Sequence, residues 1–228
     1  MSLVQKGRHV LRRLNERFIL RTFALDRLDV KLRRHIDLER GFFVEAGAND
    51  GIEQSNTLYF ERHRGWRGLL VEPLPALAAA CRLNRPRCIV EQAALVPFDH
   101  AGATVTMRDC NLMSVVKGGL RSEADELEHV RLGSQVQGIN VREVEVPARN
   151  LSSILDQHGI AKVDLLSLDV EGYELDVLRG IDLSRHRPEW MLIEARFREA
   201  IEMYLRPWDY LTVAALSHHD VLYRTSRH

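Results

Sequence analysis

The chain has few cysteines, no long hydrophobic run and no excess of charge of either sign. Its 228 residues include three cysteines, Cys81, Cys88 and Cys110, and 32 basic side chains balance 32 acidic ones. Three thiols without a Cys-x-x-Cys pair exclude a disulfide framework and the usual zinc and redox motifs. The neutral total excludes a polycationic nucleic-acid binder. We therefore predict a cytoplasmic protein with reduced thiols that binds no nucleic acid.

The longest apolar stretches, 77–81 and 211–216, are far too short to span a membrane. The basic N-terminus has no continuous apolar segment behind it, so we expect neither a secretory signal nor a transmembrane segment. A chain of this length buries about 70% of its unfolded surface and needs no metal or disulfide to fold. We expect one main domain with an appendage.

The N-terminal segment 1–40 differs from the rest, because it holds eleven Lys or Arg residues against five Asp or Glu residues. Apolar residues recur there at three- and four-residue steps with arginines between them, from Leu3 to Phe18. This pattern predicts a basic amphipathic helical extension. Its apolar face is expected to pack on its own domain or on a second copy in a homodimer. Peripheral contact with an anionic membrane surface is the alternative.

From residue 41 onward, short apolar runs alternate with helical patterns. We predict strands at 42–46, 68–72, 88–90, 163–169, 190–194, 210–216 and 221–225, and helices at 55–64, 77–83, 151–157 and 172–179. Repeated strand–helix units indicate a largely parallel sheet with helices on both faces. Residues 103–107 and 141–146 alternate with a period of two, so they are predicted as half-exposed strands. The polar stretch 111–140 between them is predicted to be a lid or substrate loop.

Two of the predicted strands end in residues suited to a nucleotide-like cofactor. The first strand runs from Glu45 into a turn that holds Gly47 and Gly51, where the backbone can approach a ligand closely. The second ends at Glu72, which Pro73 follows. A carboxylate at that place accepts hydrogen bonds from a ribose diol, although a solvated strand-end carboxylate is the alternative. Together they point to an adenosine-containing cofactor.

The charge of the turn separates the two main cofactor classes. The sequence lacks Gly-x-Gly-x-x-Gly, and the carboxylates of Glu45 and Asp50 flank its glycine turn. Negative charge repels the pyrophosphate of NAD, whereas it suits the amine and sulfonium of S-adenosylmethionine. A nicotinamide-dependent oxidoreductase therefore stays the weaker alternative. The other alternative is a non-catalytic binding or scaffold domain that docks through its basic helix.

Five motifs in order resemble the FkbM-type family of S-adenosylmethionine-dependent methyltransferases. They are the segments 43–51 (FVEAGANDG), 55–57 (SNT), 68–73 (GLLVEP), 168–174 (LDVEGYE) and 178–180 (LRG). The resemblance covers 41–225 and implies a class I methyltransferase (Rossmann-like) α/β fold over 41–228. That fold has a seven-stranded, mostly parallel sheet with helices on both faces and an antiparallel last strand. The activity it implies is O-methylation of a hydroxyl on a sugar, glycan or polyketide-type natural product.

The resemblance also implies roles for individual residues in binding the cofactor. The methionine part is expected beside the first motif, whose residues are Glu45, Gly47, Ala48, Asn49, Asp50 and Gly51. Ser55 is expected to cap the neighbouring helix. Glu72, with Pro73 after it, is expected to hold the ribose, and Ala93 to border the adenine.

Methyl transfer to a hydroxyl needs a general base, a metal ion that lowers the hydroxyl pKa, or both. Asp169 and Glu194 end neighbouring predicted strands, so they are candidate Mg²⁺ ligands. Direct contact of Asp169 with the cofactor amine or the acceptor is the alternative. Glu171 is a catalytic candidate from its motif, or else a carboxylate that interacts with a helix N-terminus. His219 is a candidate base, or else an exposed turn histidine.

Overall fold

A computed structural model describes residues 22–119, 122–138 and 141–226 of the chain. The strands in these ranges are β1 Phe42–Ala46, β2 Arg67–Val71, β3 Ile89–Glu91, β4 Ala94–Leu95, β5 Thr104–Asp109, β6 Val115–Val116, β7 Arg142–Arg149, β8 Leu165–Leu168, β9 Trp190–Glu194, β10 Tyr210–Ala215 and β11 Asp220–Thr225. The α-helices are α1 Leu28–Leu32, α2 Leu58–Arg64, α3 Pro75–Asn84, α4 Glu123–Gln137, α5 Leu151–Gln157, α6 Glu174–Leu178 and α7 Arg198–Leu205. None of the described helices is long and apolar enough to cross a membrane.

The main sheet contains seven strands in the order β3-β2-β1-β8-β9-β11-β10. The strands from β3 to β9 in this order pair in parallel, whereas β11 is antiparallel to both of its neighbours, β9 and β10. The short turn between β10 and β11 allows only an antiparallel pair, since parallel neighbours need a long crossover. The α/β prediction, with seven strands and an antiparallel last strand, is confirmed.

Both faces of the main sheet are covered by helices. Successive side chains of a strand point to opposite faces, and in β1 Phe43 and Val44 are both fully buried. Phe43 packs in a core with residues of α1, α2 and α3. Val44 packs in a second core with residues of α5, α6 and α7. Burial on both sides explains why the central strands are continuous apolar runs.

The strands between β3 and β8 in the sequence form a second sheet, in the order β4-β7-β5-β6. The two strands predicted from their alternation, β5 and β7, form its antiparallel centre. The prediction that 111–140 has no regular secondary structure is wrong, because the stretch contains β6 and the helix α4. The inward positions of α4 include Glu126 and His129, which are buried polar residues. These buried polar residues interrupt the apolar pattern by which a helix is predicted from sequence.

The predicted N-terminal helix, from Leu3 to Phe18, lies outside the described residues. The later part of the 1–40 extension is not separate from the main domain, because Leu28, Leu32 and Ile36 are buried in the core that contains Phe43. Three helix predictions differ from the structure at their bounds, and the one predicted at 77–83 spans Pro75–Asn84. The helix predicted at 55–64 begins only at Leu58, and the one predicted at 172–179 spans Glu174–Leu178. Helix α7 was not predicted.

Candidate active site

A cavity of about 370 Å³ lies at the carboxyl ends of β1, β2, β8 and β9, which is where open α/β sheets bind ligands. Most of the predicted site residues line it: Glu45, Gly47, Ala48, Asn49, Ser55, Glu72, Pro73, Ala93, Asp169, Glu171 and Glu194. Asp50, Gly51 and His219 are not among its lining residues. The second sheet contributes apolar side chains to the other wall, among them Met107 and Val116.

The turn after β1 is held in a narrow space that only glycine fits. Gly47 has a φ of +80°, and a Cβ added to it would lie 1.8 Å from the carbonyl oxygen of Asp169. Its N–H and that of Ala48 donate to the carbonyl of Val71 at 3.1 and 3.2 Å. Because β2 and β8 confine it from both sides, the turn presents its backbone closely to the cavity.

Asp50 and Gly51 support this turn from outside the cavity. The Asp50 carboxylate accepts hydrogen bonds from the N–H groups of Ile52 and Glu53 at 2.8 and 2.7 Å. A Cβ at Gly51 would lie 2.9 Å from the Arg85 side chain. Both residues therefore shape the turn. Neither of them lines the cavity, although the sequence predicted both as cofactor-binding residues.

Glu72 presents a buried carboxylate to the cavity. Only 4% of the residue is exposed, and its two oxygens accept hydrogen bonds from the N–H groups of Asn49 and Leu74, both at 2.9 Å. Burial, with the nearby charge of Asp109, raises the pKa of Glu72 to about 7, although the two hydrogen bonds oppose the shift. A carboxylate has about four acceptor sites, so each oxygen keeps capacity for another donor.

Glu45 uses its carboxylate to hold the segment that follows the glycine turn. It accepts hydrogen bonds from the Ser55 hydroxyl at 2.9 Å, the Asn56 N–H at 2.7 Å and the Thr57 hydroxyl at 2.6 Å. Arg85, which is fully buried, lies 3.7 Å from the same carboxylate. Ser55 also accepts a hydrogen bond from the N–H of Leu58 at 3.1 Å, so it caps the first turn of α2 from outside the helix.

Three carboxylates, of Asp169, Glu171 and Glu194, lie at the ends of β8 and β9, and one arginine binds two of them. Arg196 Nε lies 3.1 Å from Glu194 Oε2, and Arg196 Nη2 forms an ion pair with Glu171. No described residue makes a side-chain hydrogen bond or ion pair with Asp169. Desolvation by the surrounding protein and the charges of Glu194 and Glu171 raise the pKa of Asp169 above its usual value, although its side chain is exposed to the open cavity. Burial also raises the pKa of Glu171 to about 8, against the opposing charge of Arg196.

Helix α4 reaches this carboxylate group through His129. The ring Nε2 lies 3.1 Å from the carbonyl oxygen of Met113 and 3.4 Å from Glu171 Oε2, and Nδ1 lies 3.3 Å from Arg196 Nη1. Burial and the charge of Arg196 lower the pKa of His129. A neutral ring that donates from Nε2 and accepts from Arg196 at Nδ1 fits these contacts.

Sequence reasoning missed both His129 and Arg196. His129 is 67 residues from Arg196 and lies in a stretch that was predicted as loop, so no local pattern joins them. The signal for Arg196 was present, since it follows Glu194 at a spacing of two. Asn111 was missed for the same reason as His129, and its side chain accepts a hydrogen bond from Asn49 Nδ2 at 3.3 Å.

The predicted metal site and histidine base receive no support from the geometry. In the described ranges, no three His, Cys, Asp or Glu residues are grouped to hold a metal, and the Glu194 carboxylate is engaged by Arg196. His219 is exposed at the turn between β10 and β11, where its ring lies 4.4 Å from that of His218. Because it does not line the cavity, the structure does not place it as a base.

Comparison with known proteins identifies the family. Residues 45–219 match the Methyltransferase FkbM domain. The methyltransferase sdnD of Sordaria araneosa is 26% identical over 162 residues, which cover 62% of this chain and 60% of that protein. Among crystal structures, Methyltransferase FkbM from Methylobacillus flagellatus KT is 17% identical with a TM-score of 0.48, over 82% of this chain and 44% of that one. A methyltransferase from Geobacter sulfurreducens is 14% identical with a TM-score of 0.46, over 88% and 78%. The chain thus spans less than two thirds of the first two relatives, and its match to the domain over more than half of its own length shows that it belongs to the FkbM methyltransferase family.

Proposed function

We propose that the protein is an S-adenosylmethionine-dependent O-methyltransferase that acts on a hydroxyl of a sugar, glycan or polyketide-type natural product. The observation that carries the proposal is the buried Glu72 carboxylate at the end of β2, which opens onto the cavity beside the Gly47 turn. Two backbone N–H groups fix that carboxylate, so it is already oriented to accept both hydroxyls of a ribose. Membership of the family supports methyl transfer as the reaction.

The residues of the cavity fit the size and charge of this cofactor. The cavity volume of about 370 Å³ lies in the range of small-molecule sites. The apolar residues Ala93, Ala94 and Leu95 line it and suit an adenine. Arg196 is the single cationic residue among the described lining residues, and Glu171 and Glu194 already bind it. The remaining excess of carboxylates favours a cofactor with a cationic amine and sulfonium over one with a pyrophosphate.

Bound S-adenosylmethionine would supply a methyl group on a sulfonium, and the neutral thioether that remains is a good leaving group. The protein then has to orient the acceptor hydroxyl and remove its proton. We assign Asp169 as the general base, because its carboxylate lines the cavity and pairs with no described residue. The pKa of Asp169 is raised, which brings it closer to the value that suits a general base near neutral pH. Arg196 holds Glu171 and Glu194 in place beside it.

Calorimetric titration with S-adenosylhomocysteine tests the cofactor assignment. We expect micromolar binding to the unchanged protein and binding at least about tenfold weaker to Glu72→Gln, because the amide accepts from only one of the two ribose hydroxyls. Glu199→Gln changes an exposed carboxylate of α7 and is the matched control, with unchanged affinity. NAD is titrated in parallel. Binding of NAD with no binding of S-adenosylhomocysteine would replace this proposal with the oxidoreductase alternative.

The acceptor class is tested with a panel of neutral sugars, glycans and polyketide alcohols. Each is incubated with the protein and S-adenosylmethionine, and mass spectrometry follows the methylated product together with S-adenosylhomocysteine. Product formation that needs both compounds supports the proposal. A protein that binds the cofactor but methylates only amine or thiol compounds would show that the acceptor atom is not a hydroxyl oxygen.

A further inference from the structure

Leu25 contributes an exposed apolar side chain to the cavity from outside the family domain. The match to the family domain begins at residue 45, and Leu25 precedes it in the chain. Leu25 lines the cavity, yet 53% of it is exposed. Its neighbour Ala24 forms a parallel β-bridge with Gln54, which also lines the cavity. A leucine in this position leaves apolar surface that a ligand in the cavity can cover.

The segment that carries this leucine is anchored to the domain at several points. The buried carboxylate of Asp29 accepts hydrogen bonds from the Thr22 hydroxyl at 2.5 Å and from the Phe23 N–H at 3.0 Å. The ammonium group of Lys31 donates to the carbonyl oxygen of Leu216, which precedes the turn between β10 and β11. The anchors on both sides of the leucine therefore hold its side chain at a defined place on the cavity wall.

The backbone next to Leu25 is strained. Asp26 has a φ of 49° and Arg27 a φ of 58°, and Gln54 on the other side of the β-bridge also has a φ of 58°. The left-handed region is unfavourable for residues with a side chain, and in folded proteins such residues concentrate at active and ligand-binding sites. The strain on both sides of the bridge therefore indicates a functional place.

The strand order divides the cavity into two parts. The proposed adenine and ribose sites follow β3 and β2, whereas Asp169 and Glu194 lie at the ends of β8 and β9, on the other side of β1. Burial raises the pKa of Asp220, and the charges of Glu194 and Asp26 add to this shift, so Asp26 lies near the edge where β9 pairs with β11. Leu25, which precedes Asp26, therefore belongs to the part of the cavity that holds the proposed base.

We propose that Leu25 is a specificity-determining residue that binds the apolar body of the acceptor while the acceptor hydroxyl faces Asp169. This inference rests on the proposed function and narrows it to a hydroxyl on an apolar carbon skeleton of polyketide type. Met113 and Val116, which line the same cavity, add apolar surface from the segment between β5 and β7. Contact between apolar surfaces is favourable in water, whereas a free sugar has little apolar surface to offer.

Two neutral alcohols of different polarity test this role. Decalin-2-ol carries its hydroxyl on a fused bicyclic hydrocarbon, whereas methyl β-D-glucopyranoside carries several hydroxyls on a sugar ring. Ligand-observed NMR measures the binding of each to the protein saturated with S-adenosylhomocysteine, so the test needs no turnover. We expect the glucoside to bind at least about tenfold more weakly than decalin-2-ol. Leu25→Ala should weaken the binding of decalin-2-ol about fivefold, and Leu25→Met, which keeps the apolar volume, should stay within about twofold of the unchanged protein.

Leu211→Ala is the matched control, because Leu211 is 63% exposed on β10 and does not line the cavity. It should bind decalin-2-ol as the unchanged protein does. Calorimetry with S-adenosylhomocysteine separates the acceptor role from a structural one, since all three variants should keep their affinity within about twofold. Circular dichroism checks folding, and Leu25→Gln replaces the alanine variant if that variant unfolds.

Three results would overturn the role of Leu25: no binding of decalin-2-ol, tighter binding of the glucoside, or equal binding of decalin-2-ol to Leu25→Ala and the unchanged protein. Failure of the proposed function is recognised separately. If the unchanged protein does not bind S-adenosylhomocysteine, the cofactor assignment is wrong, whatever the alcohols do.

Discussion

Arg196 binds Glu171 across the ends of two neighbouring strands, and the same guanidinium contacts His129 of helix α4. Arg196 follows β9 by two residues, and Glu171 follows β8 by three. The contact therefore joins the main sheet to the segment between β6 and β7. A partly buried ion pair linked to a helix in this way makes the position of α4 depend on charges inside the cavity.

Replacement of Arg196 is expected to loosen α4. Arg196→Met leaves the partly buried Glu171 carboxylate without its cation and removes the donor to His129 Nδ1, a loss of charge-assisted hydrogen bonds. We expect amide hydrogen exchange in 123–137 to become about tenfold faster, with partial recovery in Arg196→Lys. Mass spectrometry of the exchanged peptides measures this. Peptides from α5 are the internal reference, and equal acceleration there would indicate general destabilisation.

Sequence patterns predicted the elements whose burial is apolar and whose ends carry local signals. Helix α5 and strand β9 have the bounds that were predicted, 151–157 and 190–194. Asn150 caps α5 by accepting from the N–H of Ser153 at 2.8 Å, a signal that lies within one turn. Strand β9 is buried over most of its length, so its apolar run is continuous.

The patterns failed where distant polar residues determine the structure. Helix α4 buries Glu126 against Arg108, with 2.7 Å between their charged atoms. The spacing of apolar residues in the sequence cannot reveal such a pair. The resemblance implies that Glu45 lies beside the methionine part of the cofactor, and Glu45 does line the cavity. What the sequence did not reveal is that its carboxylate accepts hydrogen bonds from the segment 55–57. Contacts that join separate parts of the chain are not visible in a local sequence window.

Asp169→Asn is expected to abolish most of the turnover while the fold survives. The amide cannot accept the proton of the acceptor hydroxyl, and general-base catalysis contributes about 10²- to 10⁴-fold to the rate. The kcat for an acceptor identified in the panel should fall by about that factor. Asp99→Asn changes an exposed aspartate outside the cavity and should leave kcat unchanged. A fully active Asp169→Asn protein would exclude Asp169 from the proton transfer.

Binding of S-adenosylhomocysteine should weaken as the pH is lowered through 7. Burial raises the pKa of Glu72 to about 7 in the ligand-free protein, and the ribose diol binds the ionised carboxylate best. Protonation therefore competes with the ligand, and the affinity should fall about tenfold from pH 8 to pH 6. Calorimetry at several pH values measures the change.

The Glu72→Gln variant is the control for this pH dependence, because it has no proton to gain at that position. Its weaker affinity should be nearly constant over the same range. If the variant keeps the tenfold dependence, the titrating group is a residue other than Glu72. Glu171, whose pKa is raised to about 8, and Glu174, whose pKa is raised to about 7, are then the groups to replace next.

The stability of the site is expected to depend on Arg85, a fully buried arginine beneath the glycine turn. It forms an ion pair with Glu61, lies 3.7 Å from Glu45, and donates to the Gly51 carbonyl at 2.9 Å. Arg85→Met leaves the buried Glu45 carboxylate without its cation and leaves Glu61 paired only with Arg87 at 3.5 Å. The change should lower the free energy of unfolding by about 3–5 kcal/mol. Urea unfolding followed by circular dichroism measures the loss.

Arg64→Met is the matched control, since Arg64 pairs with the exposed carboxylates of Asp37 and Glu39. Exposed pairs are screened by water, so its free energy of unfolding should change by less than about 1 kcal/mol. A double variant, Arg85→Met with Glu61→Leu, replaces the closer pair by apolar side chains and should recover part of the lost stability. If Arg85→Met is as stable as the unchanged protein, Arg85 does not hold the carboxylates that shape the turn.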